Sequence, residues 1–585
     1  MKNLKKYLSV LLAFIIFMQI ILPASAATTT AGLDKRYWPL QEELNAARDS
    51  KNHRGTISAV QKTYDLFVGT ADPAATADKW LKNKDIELNI LTTCLLWAGQ
   101  AAEALEDYDE MTKWYELYLI FIERQKMLWT ADQRLDVETF SIPATKTKIL
   151  AHNVTPIFFT ELKADNSTNP YTGAKFEPRN GIYYGTPNPY EIGPLKGNPL
   201  IASSSKTPSG ALVYVEFKKE KVSDYDWLFK ELIPKTDIIE LAWNMEENNT
   251  ALKNACNEIK LIEDTADYLA GLGSPILLRV AAEMNIWNPP ADPETFKKLF
   301  ITVANIMKER APNVAMLFSP TTTSALGVTI MDYYPGDKYV DWVGVSNYYQ
   351  YYFLGKKNAS QTERLKYMTM EYASPILKLE EIVELFGGKK PIMLSEYGIA
   401  NYYKNHNEST ADWASYRLTQ LQYYVPMMYP EIKAMFYFDV DRTRAGTPGN
   451  YALINNQTMN ELYNKLMKEN GIYLSLGQKS SDFIYAKLDS SGRHMKADNV
   501  IINTYVEVVN HPDLTVTYSI GGKEYVKATK IPYRGVLNFS SVKDGTYNID
   551  VVVKSNKDNK QYAAKTIKLI KKGENVSLFD NTITR

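Results

Sequence analysis

The chain has 585 residues, a length prior of two to four domains, and its 45% hydrophobic and 23% charged residues are those of ordinary globular protein. Its 67 Lys and Arg balance 67 Asp and Glu, which excludes nucleic acid as the main partner, because phosphate binding draws on a basic excess. Two cysteines exclude a disulfide framework, and five histidines without ligand spacing point to no metal or other cofactor.

The first residues read as an export signal. Lys2, Lys5 and Lys6 precede an apolar run from Tyr7 to Leu22, and Pro23 with Ala24-Ser25-Ala26 supplies a small-residue cleavage site. The expected product is secreted or held at the cell surface, with no membrane span after signal removal. Residues 27–145 read as a helical domain. "LLWAGQAAEALEDYDEMTKWYELYLIFIERQ" (Leu95 to Gln125) carries apolar residues at helical spacing, broken at Glu106-Asp107. Cys94 and Cys256 lie in apolar helix-like stretches and are expected to be buried free thiols.

Residues 146–475 alternate short apolar runs with longer amphipathic segments. The runs are "GIYYG", "ALVYVEF", "IIELAW", "ILLRVAAE", "VAMLFSP", "VDWVGVSNY", "PIMLSEYG" and "IKAMFYFD". Eight strands alternating with helices predict a (β/α)8 TIM barrel. "KTKILAHNV" competes with "GIYYG" for the first strand. Residues 478–585 lose the helical period. "LTVTYSIGGKEY" is a strand, a Gly-Gly turn and a strand, so a small β-sandwich of immunoglobulin-like size is expected, separable from the barrel.

Working residues of a TIM barrel sit at the C-terminal strand ends. Glu283 closes the fourth run and Glu396 the seventh. A carboxylate after an apolar strand is costly unless it is solvated, paired or used. Alternation puts Arg279, Ala281 and Glu283 on one side of a strand, so pairing of a glutamate with Arg279 competes with catalysis. Two carboxyls across a cleft are the equipment of glycosidic bond cleavage, one protonated and one ionised. Trp287 reads either as a rim platform for sugar or as core packing. Glu216, Trp243 and Asn244 point toward the same mouth. The 40 tyrosines suit wet, sugar-binding clefts.

The barrel resembles clan A glycoside hydrolases, and family 26 most, whose best-known members are β-mannanases. The matching stretches are Arg279 followed by Glu283-Met284-Asn285 and Trp287, then "APNVAMLFSPT", "YYPGDKYVDWVGVSNYY" and "KPIMLSEYG", within about residues 180 to 450. The resemblance implies a cofactor-free retaining endo-β-glycanase acting on a polysaccharide, with Glu283 as acid/base and Glu396 as nucleophile. It implies that Arg279, Asn285 and Trp287 bind substrate, that Tyr348 contacts the nucleophile, and that Tyr437 lies near an aromatic subsite floor. Ala282 replaces the family's His, Ile286 replaces a Gly, and Trp287 falls one position early. These departures point away from plain mannan. They also frame the alternative, an inactive carbohydrate-binding or envelope scaffold built on the same barrel.

Overall fold

The computed structural model describes residues 33–130, 134, 137–142, 145–146, 148–149, 154–164, 169–187, 189–193, 195, 197–202, 206–325, 328–352, 374–508 and 513–580. The expected signal lies outside them. The chain forms two compact units, divided at Val137 and Glu138.

The first unit is helical. Helices α1 (Tyr37–Asp49), α2 (His53–Phe67), α3 (Pro73–Asn83), α4 (Ile86–Ala104) and α5 (Tyr108–Gln125) follow one another through short turns. Asn52, Asp72 and Asp107 accept hydrogen bonds from backbone N–H groups of the first turns of α2, α3 and α5, which satisfies donors the helix itself leaves free. Leu91, Leu95, Trp114 and Phe121 are fully buried. Cys94 is buried and free, and burial pushes its thiol up to about 12, so it stays an unreactive thiol.

The second unit holds the barrel and the strand-rich end together. A strand absent from the eight expected ones comes first: β1 (Ile157–Lys163). The barrel strands are β2 (Ile182–Pro187), β3 (Gly210–Glu216), β4 (Ile238–Asn244), β5 (Ile276–Val280), β6 (Val314–Phe318), β7 (Trp342–Tyr349), β8 (Ile392–Ile399) and β9 (Ile432–Tyr437). Each pairs parallel with its neighbour, and β9 pairs with β2 to close the ring. Their near-continuous burial follows from helices outside and packed side chains inside. "GIYYG" is therefore the first barrel strand, and most of "KTKILAHNV" lies outside the described residues. The barrel interior is filled by side chains such as Leu212, Leu277, Leu317, Trp342, Met393 and Phe436.

One sequence expectation needs correction. The fourth strand ends at Val280, not at Glu283. Ala281 and Glu283 then adopt left-handed backbone, with φ of 47° and 60°, so strand alternation does not set their directions. Such φ values strain residues with a Cβ and persist only where the surroundings enforce them. Here the Glu283 N–H donates to the Ser319 carbonyl at 2.9 Å, and the Ala281 N–H to the Trp243 carbonyl at 3.3 Å.

A register shift between β7 and β8 has the opposite effect on Glu396. Val345 pairs with Leu394, but Ser346 pairs with Glu396, skipping Ser395. The bulge turns two successive side chains inward. Ser395 Oγ meets Ser319 Oγ at 3.4 Å and Glu396 meets Arg279, while Leu394 and Tyr397 pack outward under the helices.

β1 does not join the barrel. It lies between β11 (Phe483–Lys487) and β12 (Val500–Tyr505), antiparallel to both, with β10 (Tyr473–Leu474) extending the barrel sheet alongside β2. This four-stranded sheet packs on a six-stranded one through Phe158, Ile502, Val516, Val551 and Leu569, which makes the sandwich. Chain on both sides of the barrel segment thus builds it.

Helix α6 (Pro375–Phe386) packs near the barrel strand β7. Its Lys378 Nζ donates to the Tyr348 carbonyl at 2.6 Å and lies 4.6 Å from the Tyr349 ring. Burial lowers this ammonium to about 7, against about 10.4 in an unfolded chain. Between those values the unfolded state binds more protons, so this group's contribution makes stability rise with pH from about 7 to about 10.4. Replacing Lys378 by Met should therefore raise Tm more at pH 6 than at pH 10. Scanning calorimetry at both pH values checks this; an equal change would show that the lysine is not buried as a charge.

Candidate active site

The C-terminal mouth of the barrel opens into a cleft with about 600 Å³ of space, continuous with solvent. Glu216, Asn244, Glu247, Ala282, Phe438 and Arg442 line its walls, with Tyr214, Arg279, Glu283, Trp287 and Glu396 deeper.

Arg279 organises the bottom. It is 1% exposed, at the mouth end of β5. Its Nε donates to Ser319 Oγ at 3.0 Å and one terminal nitrogen to Ser346 Oγ at 2.7 Å. The other terminal nitrogen donates to Glu396. The same guanidinium lies 3.7 Å from Glu283 and 3.7 Å from Glu240. Burial alone would weaken this cation, but the carboxyls of Glu396, Glu240 and Glu283 outweigh that and raise its pKa. It stays charged.

Glu396 is 7% exposed and accepts a second hydrogen bond from Tyr348 Oη. The Tyr348 ring is held edge-on by Phe438 at 5.5 Å and Tyr451 at 5.4 Å. Burial, followed by the charge of Glu396, holds the Tyr348 phenol well above its ordinary range, so it remains a donor. Glu283 keeps 28% of its side chain open to the cleft. Burial of its carboxyl and then the charge of Glu396 raise its pKa, against the pull of Arg279. Two carboxyls thus share one cation in different settings. One accepts hydrogen bonds on both oxygens, and the other faces the open cleft and tends to keep its proton.

The remaining expected site residues divide. Glu216, Trp287 and Ala282 do line the cleft. Trp287 is only 2% exposed and donates its Nε1 to the Ala282 carbonyl at 3.1 Å, so it braces the turn that carries Glu283 as well as the wall. Asn285 does not reach the cleft. It is fully buried, accepts from the Thr321 N–H at 2.9 Å and donates to the Thr321 carbonyl and Ser324 Oγ, each at 3.1 Å, tying the turn to the β6 loop. Tyr437 is also core: its hydroxyl donates to the Tyr451 carbonyl at 2.9 Å, and its ring packs on Tyr397 and Tyr463. Its neighbour Phe438 faces the cleft instead. Trp243 is fully buried against Phe217, ring centroids 4.5 Å apart, and Asn244 beside it takes the wall position.

Sequence reading missed Tyr214, Glu240, Ser319 and Ser346. The serines and Tyr214 carry no motif; only the register shift and the strand ends bring them to Arg279. Among the described residues no three His, Cys, Asp or Glu side chains could hold a metal ion together, and no helix is long and apolar enough to cross a membrane.

The closed parallel barrel carries Glu283 and Glu396 at its mouth, and comparison with known families finds a likeness over the same segment. Residues 209–424 match the model for glycosyl hydrolase family 26, so this part of the barrel is similar to that family. Solved structures similar to the chain include a family 26 β-mannanase from Bacteroides ovatus, 17% identical over 51% of this chain and 91% of that one, TM-score 0.37. The catalytic domain of an endo-β-1,4-mannanase from Bacillus sp. JAMB-750 is 15% identical over 52% and 90%, TM-score 0.35. A modular endo-β-1,4-mannanase from Cellulomonas fimi is 11% identical over 68% and 98%, TM-score 0.38. The search of curated proteins found no match.

Proposed function

We propose that the barrel is a retaining endo-β-glycanase that cleaves a β-linked polysaccharide outside the cell, at or near the cell envelope. The observation that carries this reading is the single Arg279 guanidinium reaching both Glu283 and Glu396 at the cleft bottom. Sharing one cation suits a close carboxyl pair, of the kind that acts by double displacement, rather than a pair spaced to hold water. A Glu396 oxygen bonds to the anomeric carbon while the glycosidic bond breaks and the Glu283 proton passes to the leaving oxygen. Water then attacks that carbon, gives its proton to Glu283 and releases Glu396. Arg279 and Tyr348 hold the attacking carboxylate on its line.

Two measurements test this. Reducing ends released from a panel of plain mannan, decorated mannans, β-glucans and bacterial exopolysaccharides identify the polymer, and proton NMR of the first anomer formed reports retention. Ala282 faces the cleft with no polar reach, so unsubstituted mannan should be a poor substrate beside a decorated or bacterial polymer. The same Ala282 favours the second reading, an inactive sugar-binding scaffold; binding to a polymer without release of reducing ends would select it.

The role of Glu283 has its own test. Its proton is needed for a poor leaving group, so wild-type turnover of polymer should fall as pH rises through its raised pKa. Glu283→Ala should lose about 10³-fold on polymer. It should lose far less on an aryl glycoside whose phenolate departs unaided, and that residual activity should show no alkaline limb. Equal losses on both substrates would remove Glu283 from the acid/base role.

A further inference from the structure

Below the catalytic pair lies a third carboxyl, which neither the expected mechanism nor any motif uses. Glu240 sits in the middle of β4 with no exposed surface. It is flanked along the strand by Ile238 and Ala242 and across it by Leu212 and Leu277, all interior residues of the barrel. Its Oε1 lies 3.7 Å from Arg279 Nε. Yet neither carboxyl oxygen takes part in a hydrogen bond, and Nε is already committed to Ser319 at 3.0 Å. The polar and charged groups that face it are Arg279 from β5, Glu396 from β8 and Tyr214 from β3.

We propose that Glu240 remains an uncharged carboxylic acid at working pH and acts as a positioning residue that supports Arg279 from below. Charge balance is the reason. One guanidinium can neutralise one carboxylate, and a second buried carboxylate beside it would be uncompensated in an apolar layer. Burial opposes ionisation of Glu240 more strongly than Arg279 favours it, and Glu396 adds to the opposition. In the proposed reaction the ionised partner changes. Before attack it is Glu396; once the ester has formed and Glu283 has given up its proton, it is Glu283. With Glu240 neutral, the cluster carries zero net charge in both states. The guanidinium can then serve the two carboxyls in turn without moving off its Nε anchor. With Glu240 ionised, an extra negative charge would persist throughout and draw the guanidinium down, away from the cleft.

The kinetic part of this proposal rests on the reading of Glu283 and Glu396 as the catalytic pair; the charge state of Glu240 does not. Full-length wild type, Glu240→Gln and Glu240→Leu are compared, with thermal unfolding confirming the fold of each. Glu240→Gln, neutral and of the same shape, should keep kcat within about threefold with the same pH profile. Glu240→Leu should lower kcat by at least about tenfold with KM within about threefold, because displacement of a positioning group acts on the transition state. Gln as damaging as Leu would show that the charge is required, and a harmless Leu would show that no support is needed; either overturns the proposal. Infrared difference spectra at pH 7 should contain a protonated carboxyl band that Glu240→Gln lacks. If no polymer is turned over, the catalytic reading fails and this band alone decides the state of Glu240. No difference between the two spectra overturns the assignment.

Discussion

Glu396→Gln is expected to fold and to turn over polymer at least about 10⁴-fold more slowly than the wild type. Glutamine can accept from Tyr348 but cannot form a glycosyl ester that resolves in water, so the first displacement stops. The substitution also removes the strongest partner of Arg279, which is 1% exposed. Breaking a buried ion pair usually costs about 3–5 kcal/mol, but Glu283 and Glu240 stand within 3.7 Å of the same guanidinium. Either can ionise in place of the lost carboxylate, so the loss of stability should be small beside the loss of rate. Steady-state kinetics with a melting curve of each protein checks both parts. A folded Glu396→Gln protein with near wild-type hydrolysis would remove Glu396 from the nucleophile's role.

A chain ending at Gly477 is expected not to give a stable barrel. The strand-rich end does more than adjoin the barrel helices. On helix α7 (Ala411–Met428), Arg417 pairs with Glu507 at 3.4 Å with both side chains almost wholly buried. Tyr424 donates to the Val506 carbonyl at 3.0 Å and packs edge-on against Tyr505, 4.8 Å between centroids. Glu507 also accepts from Ser374 Oγ at 3.0 Å, at the start of α6. Truncation would take Glu507 away from Arg417, which keeps Gln420 as a partner, and expose the rings. Loss of this pair together with the newly exposed apolar surface draws on a stability of only about 5–15 kcal/mol for a typical domain. β1 would lose both of its neighbours and become an apolar strand with two open edges. Scanning calorimetry of the truncated protein should show no cooperative transition or a much lowered Tm. An unchanged transition would mean that the barrel stands alone.

What was legible in the sequence follows from what is periodic. All eight barrel strands could be read because a strand buried on both faces is a short apolar run, and the helices between them carry their own period. Glu283 and Glu396 could be read because a carboxylate ending such a run is costly without a use. The directions of side chains near the mouth could not. Asn285 and Tyr437, expected in the cleft from the family resemblance, and Trp243, expected there from its place at a strand end, lie in the core, because the strand before Asn285 stops at Val280 and polar or aromatic character fits a hydrogen-bonded core site equally well. Glu240 was hidden inside "IIELAW", where an interior position and an outward one look alike. β1 was hidden because its partners lie beyond the barrel in sequence, and no local pattern records a pairing of that separation.

That separation governs the order in which the molecule can be made. Lys163 and Phe483 face each other across adjacent strands, with the entire barrel strung between them. During synthesis β1 leaves the ribosome long before either neighbour exists. Barrel strands pair with near neighbours and can begin to pair as they emerge; the sheet around β1 must wait for the last hundred residues, since distant pairings are slow until intervening chain has been compacted. The barrel is then a loop whose ends the sandwich ties together last. A nascent chain would carry an apolar strand searching for an edge, and correct completion of the protein would depend on the barrel strands bringing β1 and its two later neighbours within reach.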